Sequence, residues 1–192
     1  VEMGKMAFAK FLPFFFDDWE FTFDSKAASR DCLDLIPCSW TQNFNPLVVA
    51  AFRKHGWDKA QVNLPSPPKM VLILRGGSRG RGIANVAAVQ DFLQSWCSES
   101  SIDFAAVYLD CMSQTEQIRL FASSSVVIGQ HGAAMSNCMW MQPSSLVIEI
   151  GVFWSVFKLL ADAAGVRHER IACNEGGDHV KVSVSELQEI LN

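Results

Sequence analysis

Short strand-like runs alternate with segments of helical periodicity from residue 69 to the end of this chain. Met70–Leu74 is apolar at every position, which is typical of a strand covered on both faces of a sheet. Strands separated by single helices are joined by right-handed crossovers and therefore run parallel. The sequence predicts an α/β fold with a Rossmann-like parallel sheet and helices on both faces.

The predicted elements follow one another closely. The predicted strands are Met70–Leu74, Phe104–Leu109, Ser125–Gly129, Leu146–Ile150 and Val166–Ala172. The predicted helices are Ala84–Trp96, Ser113–Ala122, Gly132–Met141, Trp154–Ala164 and Ser183–Leu191. Two of these helices begin with the spacing of a capping box, Ser113 with Glu116 and Ser183 with Glu186. Gly165 is suited to end the fourth helix.

A stiff connector separates two regions of different composition. Pro65-Ser66-Pro67-Pro68 fits neither a helix nor a central strand, and the residues before it are rich in aromatics without a clean period. We assign residues 1–68 to the end of an N-terminal domain or to an irregular linker region, and residues 69–192 to the Rossmann-like domain. Within the first region, Phe44–Lys54 has helical spacing, with Pro46 suited to the first turn.

Composition and charge exclude several classes of function. The net charge of −4 leaves no broad basic surface, so nucleic acid is not an expected partner. No run of about 18 apolar residues is present, so we expect any membrane anchor to lie upstream of this chain. The six cysteines form no CxxC pair, and Cys32 and Cys38 are either bridged across a short loop or free like the others.

An arginine- and glycine-rich segment follows the first predicted strand. Arg75, Arg79 and Arg81 lie among glycines, which let a backbone approach a ligand closely, and arginine pairs its donors with phosphate oxygens. The segment is either a local anion site or a flexible solvated loop. Its position at the end of a parallel strand favours the anion site.

A second turn, His131-Gly132-Ala133-Ala134, follows the strand Ser125–Gly129. It opens a helix whose first N–H groups and positive dipole end suit a phosphate. His131 would lie where a leaving diphosphate develops charge, and the alternative is a histidine bound to backbone in a tight turn. Asn137, one turn later, either caps the helix, packs in it or reaches the ligand.

Glu149 lies near the end of the otherwise apolar strand Leu146–Ile150, where an unpaired carboxylate is costly. It either accepts hydrogen bonds from ribose hydroxyls or holds an arginine of the first loop. The remaining histidines, His55, His168 and His179, are interpreted as loop or surface residues without a role.

Several common catalytic motifs do not occur in the sequence. There is no D-x-D triplet of a metal-dependent sugar transferase, no P-loop and no HExxH, so we expect no metal site. The glycines do not have the GxGxxG spacing either, which argues against an NAD-dependent enzyme.

In order and spacing these motifs resemble glycosyltransferase family 61 over about residues 45–172. The family includes plant β-1,2-xylosyltransferase, xylan arabinosyl- and xylosyltransferases, and EGF-domain and O-mannose N-acetylglucosaminyltransferases. The chain departs from the family pattern at Ala134, which replaces a glycine, and at Met135-Ser136, which replaces Leu-Thr. The matching residues are Arg75, Arg79, Arg81, Asn85, Glu116-Gln117-Ile118, His131–Asn137, Met141 with Pro143, and Val147-Ile148-Glu149.

The resemblance implies the C-terminal half of a GT-B enzyme that transfers xylose, arabinose or N-acetylglucosamine from a UDP-sugar with inversion. It implies no metal or other cofactor, and it places His131 as the catalytic residue on the side of the leaving diphosphate. The general base is not implied. The donor-binding residues that the resemblance implies are Arg75, Arg79, Arg81, Asn85, Gly132, Ala133, Asn137 and Glu149.

The resemblance also implies a glycan or glycoprotein acceptor and a location in the Golgi or endoplasmic reticulum lumen behind an upstream anchor. A truncated, non-catalytic UDP-binding domain is the alternative, because most of an N-terminal Rossmann domain is not found in these 192 residues. Another nucleotide-dependent α/β enzyme is the third hypothesis.

Overall fold

Among the residues that the structure describes, the strands run parallel and belong to two sheets. In chain order they are β1 (Lys69–Leu74), β2 (Gly82–Ile83), β3 (Asp103–Tyr108), β4 (Val126–Gln130), β5 (Leu146–Ile150), β6 (Arg167–Ile171) and β7 (His179–Val180). The five-stranded sheet has the order β3-β1-β4-β5-β6, and β2 pairs with β7 separately. The predicted α/β class with a Rossmann-like parallel sheet is confirmed.

The computed structural model describes residues 44–75, 82–151, 156–173 and 179–192, all within the unit Asn43–Asn192. The α-helices of these residues are α1 (Pro46–Ala60), α2 (Val86–Glu99), α3 (Gln114–Ala122), α4 (Val156–Ala164) and α5 (Val184–Leu191). Leu109–Cys111 is a short 3₁₀ turn, and Ala133–Trp140 is called the 3₁₀ helix below. Among the described helices, none combines the length and apolar character that a membrane span requires.

The helix ends follow the predicted signals. Ser113 and Glu116 form a complete capping box at the start of α3. Ser183 accepts a hydrogen bond from the N–H of Glu186 at the start of α5. Gly165 adopts the left-handed conformation, with φ of +70°, directly after α4. Local sequence therefore determines where these helices start and stop.

Alternating side chains of the strands cover the two faces of the sheet. Leu72, Ile128 and Ile148 lie in one buried core with Leu93 of α2 and Leu187 of α5. On the opposite side, α1, α3, α4 and the 3₁₀ helix pack against one another. The buried side chains that alternate toward that side are those of Val71, Val127 and Val147. The sheet is thus covered on both faces, as its apolar strands require.

Helix α1 confirms the helix predicted at Phe44–Lys54. The Arg53 guanidinium donates to Met141 O at 3.1 Å and to Ala164 O at 2.7 Å, so it binds carbonyls at the ends of both the 3₁₀ helix and α4. The unit that contains the sheet thus begins before the proline connector. The assignment of residues 1–68 as a whole stays a prediction.

The segment after β4 differs from its prediction. The sequence predicts a helix over Gly132–Met141, and the structure has the tighter 3₁₀ form there. Met135 N–H donates to Gly132 O at 2.8 Å, and Trp140 Nε1–H donates to Asn137 Oδ1 at 3.1 Å. Both bonds join residues that are three apart in sequence. In a 3₁₀ helix, side chains at that spacing are eclipsed and can therefore contact each other.

Strands β2 and β7 have two residues each, which is too short for a periodic pattern to predict. The side chain of Asn85 reinforces their pairing, because it bonds to both the N–H and the carbonyl of Val182 at 2.9 Å. The end of the arginine-rich segment is therefore tied to the C-terminal part of the chain.

Gly56 of α1 faces the buried ring of Trp140, and a Cβ at this position would lie 2.6 Å from the ring. We expect Gly56→Ala to lower the free energy of unfolding by about 1 kcal/mol. Overpacking costs roughly 1–3 kcal/mol, which outweighs about 1 kcal/mol of gained helix propensity. Urea unfolding followed by circular dichroism measures the change.

Ala51→Gly is the matched control, because Ala51 is exposed on the same helix. It is expected to lose about 1 kcal/mol through helix propensity alone. A Gly56→Ala variant more stable than the parent would contradict the packing of α1 on Trp140.

Candidate functional site

The strand order creates a crevice between β1 and β4 at the carboxyl edge of the sheet. From β1 the chain crosses to β3 on one side, and β4, β5 and β6 all lie on the other side. At such a topological switch point the loops diverge, and α/β sheets with this order bind ligands there. The residues that directly follow β1 and β4 are Arg75 and His131.

Arg75 bridges this crevice. Its Nη2 donates to His131 O at 2.9 Å and lies against Gly132. A Cβ on residue 132 would be only 1.6 Å from that nitrogen, so the missing side chain lets the guanidinium lie there. The structure therefore brings three of the predicted site residues together.

His131, Glu149 and His168 form a hydrogen-bonded chain at the same edge. Glu149 Oε1 bonds with His131 Nδ1, and Glu149 Oε2 bonds with His168 Nε2 at 2.7 Å. Strand β5 lies between β4 and β6, so Glu149 reaches one histidine from each side. Glu149 and His168 are buried, whereas 26% of the His131 side chain is exposed. His131 is thus the member of the chain that a ligand can reach.

The two histidines keep Glu149 ionised. Burial disfavours the charged carboxylate, but the hydrogen bonds from His168 and His131 outweigh burial and lower the pKa of Glu149. Because a carboxylate only accepts hydrogen bonds, both nitrogens that face it carry protons. Nε2 is therefore the nitrogen of His131 that Glu149 does not use. Burial and then the Glu149 charge raise the pKa of Cys138 to about 12, so that thiol stays neutral.

Backbone and ring contacts both hold His131 in place. Its N–H donates to Ile150 O at 2.8 Å, and its carbonyl accepts from Arg75. The ring packs against Phe157 of α4, with ring centroids 5.2 Å apart and the planes tilted by 56°. The ring itself bonds to a carboxylate, so the alternative of a histidine satisfied only by the turn backbone is not what the structure shows.

The 3₁₀ helix begins beside Arg75. Ala133 is its exposed first residue, and none of the described side chains caps its N-terminus. Uncapped N–H groups attract anions, and here a guanidinium and an imidazole lie next to them. The group formed by Arg75, His131, Gly132 and Ala133 is suited to bind a phosphate or diphosphate.

Asn137 is buried within the 3₁₀ helix, and its side chain is fully engaged there. Its amide donates to Gln117 Oε1 at 3.1 Å and to Ala134 O at 3.2 Å, and its oxygen accepts from Trp140. Of the three roles considered for Asn137, the structure shows packing.

Asn85 also has a structural partner, since its amide pairs with the backbone of Val182. It therefore does not join the group around Arg75 in this structure. Arg79 and Arg81 lie outside the described residues.

The structure gives Glu149 two histidine partners and corrects the interpretation of His168. Neither a ribose nor an arginine is needed to explain Glu149, because both of its oxygens bind histidines. The interpretation of His168 as a loop or surface residue was wrong, since it lies in β6 with only 3% of its side chain exposed. The signal for this pair was an acidic residue in an apolar strand, which requires a buried donor nearby.

The cluster is a hydrogen-bonded one. Within residues 44–75, 82–151, 156–173 and 179–192, no group of three or more His, Cys, Asp and Glu residues is arranged to hold a metal ion. The carboxylate of Glu149 is stabilised by hydrogen bonds from the two imidazoles.

A family model described as Glycosyltransferase 61 matches residues 29–148. The chain belongs to glycosyltransferase family 61. The family match includes β1, β4, Arg75 and His131, and it ends one residue before Glu149. The resemblance seen in the sequence motifs is thereby confirmed.

One curated relative of this family 61 chain is the xylan glycosyltransferase MUCI21 of Arabidopsis thaliana. The two sequences are 33% identical over 100 residues, which cover 50% of this chain and 19% of the relative. The match thus spans less than a fifth of the length of that relative.

Glu149→Gln removes the charge that the two histidines share. At about pH 7 we expect a loss of about 2 kcal/mol in stability, within the range of about 1.5–3 kcal/mol for a hydrogen bond to a charged group. Folding lowers the pKa of Glu149, so its contribution is present above the unfolded-state pKa and disappears as the pH falls through the folded-state pKa. The difference between parent and variant should therefore shrink in acid. Urea unfolding over a pH series measures it.

Glu169→Gln is the control, because Glu169 lies on β6 with its side chain 45% exposed. Its stability should stay within about 0.5 kcal/mol of the parent at every pH. A Glu149→Gln variant as stable as the parent at neutral pH would show that the two histidines do not stabilise the carboxylate as described.

Proposed function

We propose that this chain provides the donor-binding domain of a glycosyltransferase, which transfers a sugar from a UDP-sugar to a glycan or glycoprotein acceptor. Membership of family 61 supports the transferase class, and the relative is named a xylan glycosyltransferase. The observation that carries the proposal is the switch-point crevice, where Arg75, His131 and the uncapped 3₁₀ helix meet. We infer that the chain corresponds to the C-terminal half of a GT-B enzyme.

The crevice has the donors that a leaving diphosphate needs. In an inverting transfer the acceptor hydroxyl attacks the anomeric carbon and gives up its proton to a general base. The bond from that carbon to the diphosphate oxygen breaks, and UDP leaves with negative charge. Arg75 and His131 would donate hydrogen bonds to that charge, and backbone N–H groups of the 3₁₀ helix would add to them. We propose that Arg79 and Arg81, which follow Arg75 in sequence, contact the same diphosphate.

The donor sugar and the compartment are proposed from the family. Xylose, arabinose or N-acetylglucosamine is the proposed donor sugar, with the Golgi or endoplasmic reticulum lumen as the proposed location. We also propose that the transfer needs no metal, because the sequence lacks a D-x-D triplet and arginines take the place of a cation at the diphosphate.

Calorimetric titration of the chain with UDP tests the donor site. We expect Arg75→Ala to weaken UDP binding about 10- to 100-fold, because a hydrogen bond to a charged group contributes about 1.5–3 kcal/mol. Arg167→Ala is the matched control. Arg167 is the first residue of β6, so it lies at the amino ends of the strands, away from the crevice, and it is largely exposed. Its UDP affinity should equal that of the parent.

Three outcomes separate the candidate functions. The donor site is contradicted if the folded parent does not bind UDP, or if the Arg75→Ala variant binds UDP as tightly as the parent. UDP binding without UDP release from any UDP-sugar favours a non-catalytic UDP-binding domain. Tighter binding of NADH than of UDP favours another nucleotide-dependent α/β enzyme.

Gly132→Ala tests the position of the guanidinium rather than its presence. A methyl group on residue 132 displaces Nη2 of Arg75, which is the flexible end of a side chain. We expect UDP affinity to fall about tenfold, equivalent to about 1.4 kcal/mol. Gly151→Ala is the control, because Gly151 also has a positive φ, of +117°, but its Cβ would approach the nearest atom only to 3.8 Å. Equal losses in the two variants would attribute the effect to backbone strain instead.

A further inference from the structure

We propose that His168 is a positioning residue of the donor site, which acts through Glu149 to hold His131 in one tautomer and one orientation. The consequence for binding rests on the proposed function. The coupling between the two histidines rests only on the contacts of the chain itself.

The coupling begins with the geometry of the carboxylate. Glu149 is fully buried, and each of its oxygens faces one imidazole nitrogen. The bond from His168 Nε2 to Oε2, at 2.7 Å, leaves Oε1 directed at His131 Nδ1. The His168 side chain is itself buried, so the surrounding residues hold the His168–Glu149 part of the hydrogen-bonded cluster. Only the His131 part is exposed.

The proton positions follow from this arrangement. While Glu149 is ionised it accepts from both rings, so Nδ1 of His131 must carry a proton. Without the His168 donor, a buried carboxylate charge loses half of its compensation and the protonated acid becomes favoured. A protonated Glu149 would donate toward His131, and Nδ1 would have to give up its proton to accept that bond. His168 therefore decides whether Nδ1 of His131 carries a proton.

The tautomer of His131 matters at the crevice. An imidazolium at His131, which carries protons on both nitrogens, has a buried counter-charge in the ionised carboxylate, and its Nε2–H then donates to an anion with that support. A buried carboxylate orients the histidine of a serine-protease triad in the same way. With Glu149 protonated, the counter-charge is gone, and an anion at Nε2 is bound more weakly.

Histidine NMR of the whole chain tests the coupling without any ligand. Long-range 1H–15N spectra report the tautomer of each ring, and the four histidines are assigned by single substitutions. His168→Phe keeps a ring but removes the donor, whereas His168→Gln keeps an N–H donor. We expect Nδ1 of His131 to be protonated in the parent and in His168→Gln, and to lose that proton in His168→Phe.

Titration with UDP gives the binding readout. His168→Phe should bind UDP about tenfold more weakly than the parent, by analogy with metal-ligating histidines, whose affinity falls about 10- to 100-fold when their hydrogen-bond partner is removed. His168→Gln should recover most of that affinity, which a purely space-filling role of the ring would not predict. His55→Gln, at an exposed position of α1, is the control and should change neither the His131 tautomer nor the affinity.

The outcomes are separable from those of the proposed function. An unchanged His131 tautomer in folded His168→Phe overturns the positioning role, whatever the UDP result. Failure of the parent to bind UDP contradicts the donor site but leaves the tautomer test valid. The parent spectrum is a test by itself if His168→Phe does not fold, because an unprotonated Nδ1 of His131 overturns the proposal.

Discussion

The parallel pairing of β1 with β4 places two loops side by side that leave the sheet in opposite directions. In this register Ile73 lies beside Gly129, so Arg75 and His131, each two residues further on, meet at the same level of the carboxyl edge. The bond from Arg75 to the His131 carbonyl and its contact with Gly132 follow from that register. A slip of one residue would turn Arg75 to the other face and dismantle the site.

The buried carboxylate of Glu149 lies next to this crevice and holds the histidines of the site. Glu149 is tolerated in the apolar strand β5 because β4 and β6 each bring a histidine to one of its oxygens. Its register neighbour on β4 is Gly129, which has no side chain. A Cβ there would lie 3.0 Å from the sulfur of Met135, so this glycine lets the 3₁₀ helix pack close to the sheet. Strand β5 thus brings the Glu149 carboxylate to His131, and the N-terminus of the 3₁₀ helix lies beside the same histidine.

The arginine-rich segment is tied to the sheet where the structure describes its ends. Arg75 begins it in the crevice, and Gly82 ends it in β2, paired with β7. Gln130, the last residue of β4, donates to Gly82 O at 3.2 Å, and Asn85 binds the backbone of Val182. These bonds give Asn85 a structural role beside the site and hold the C-terminal part of the chain against it.

Local patterns in the sequence determined the elements of this protein. Apolar runs and helical spacing predicted the strands, the caps at Ser113 and Gly165, and the parallel sheet, and the family motifs pointed to Arg75 and His131. Only the tertiary structure decided the partners of Glu149, the burial of His168 and the packing role of Asn137. Those contacts join residues on different strands and helices, and their register depends on how the whole sheet pairs. A periodic pattern reports which face a residue occupies, whereas hydrogen-bond partners are fixed by distances that exist only after folding.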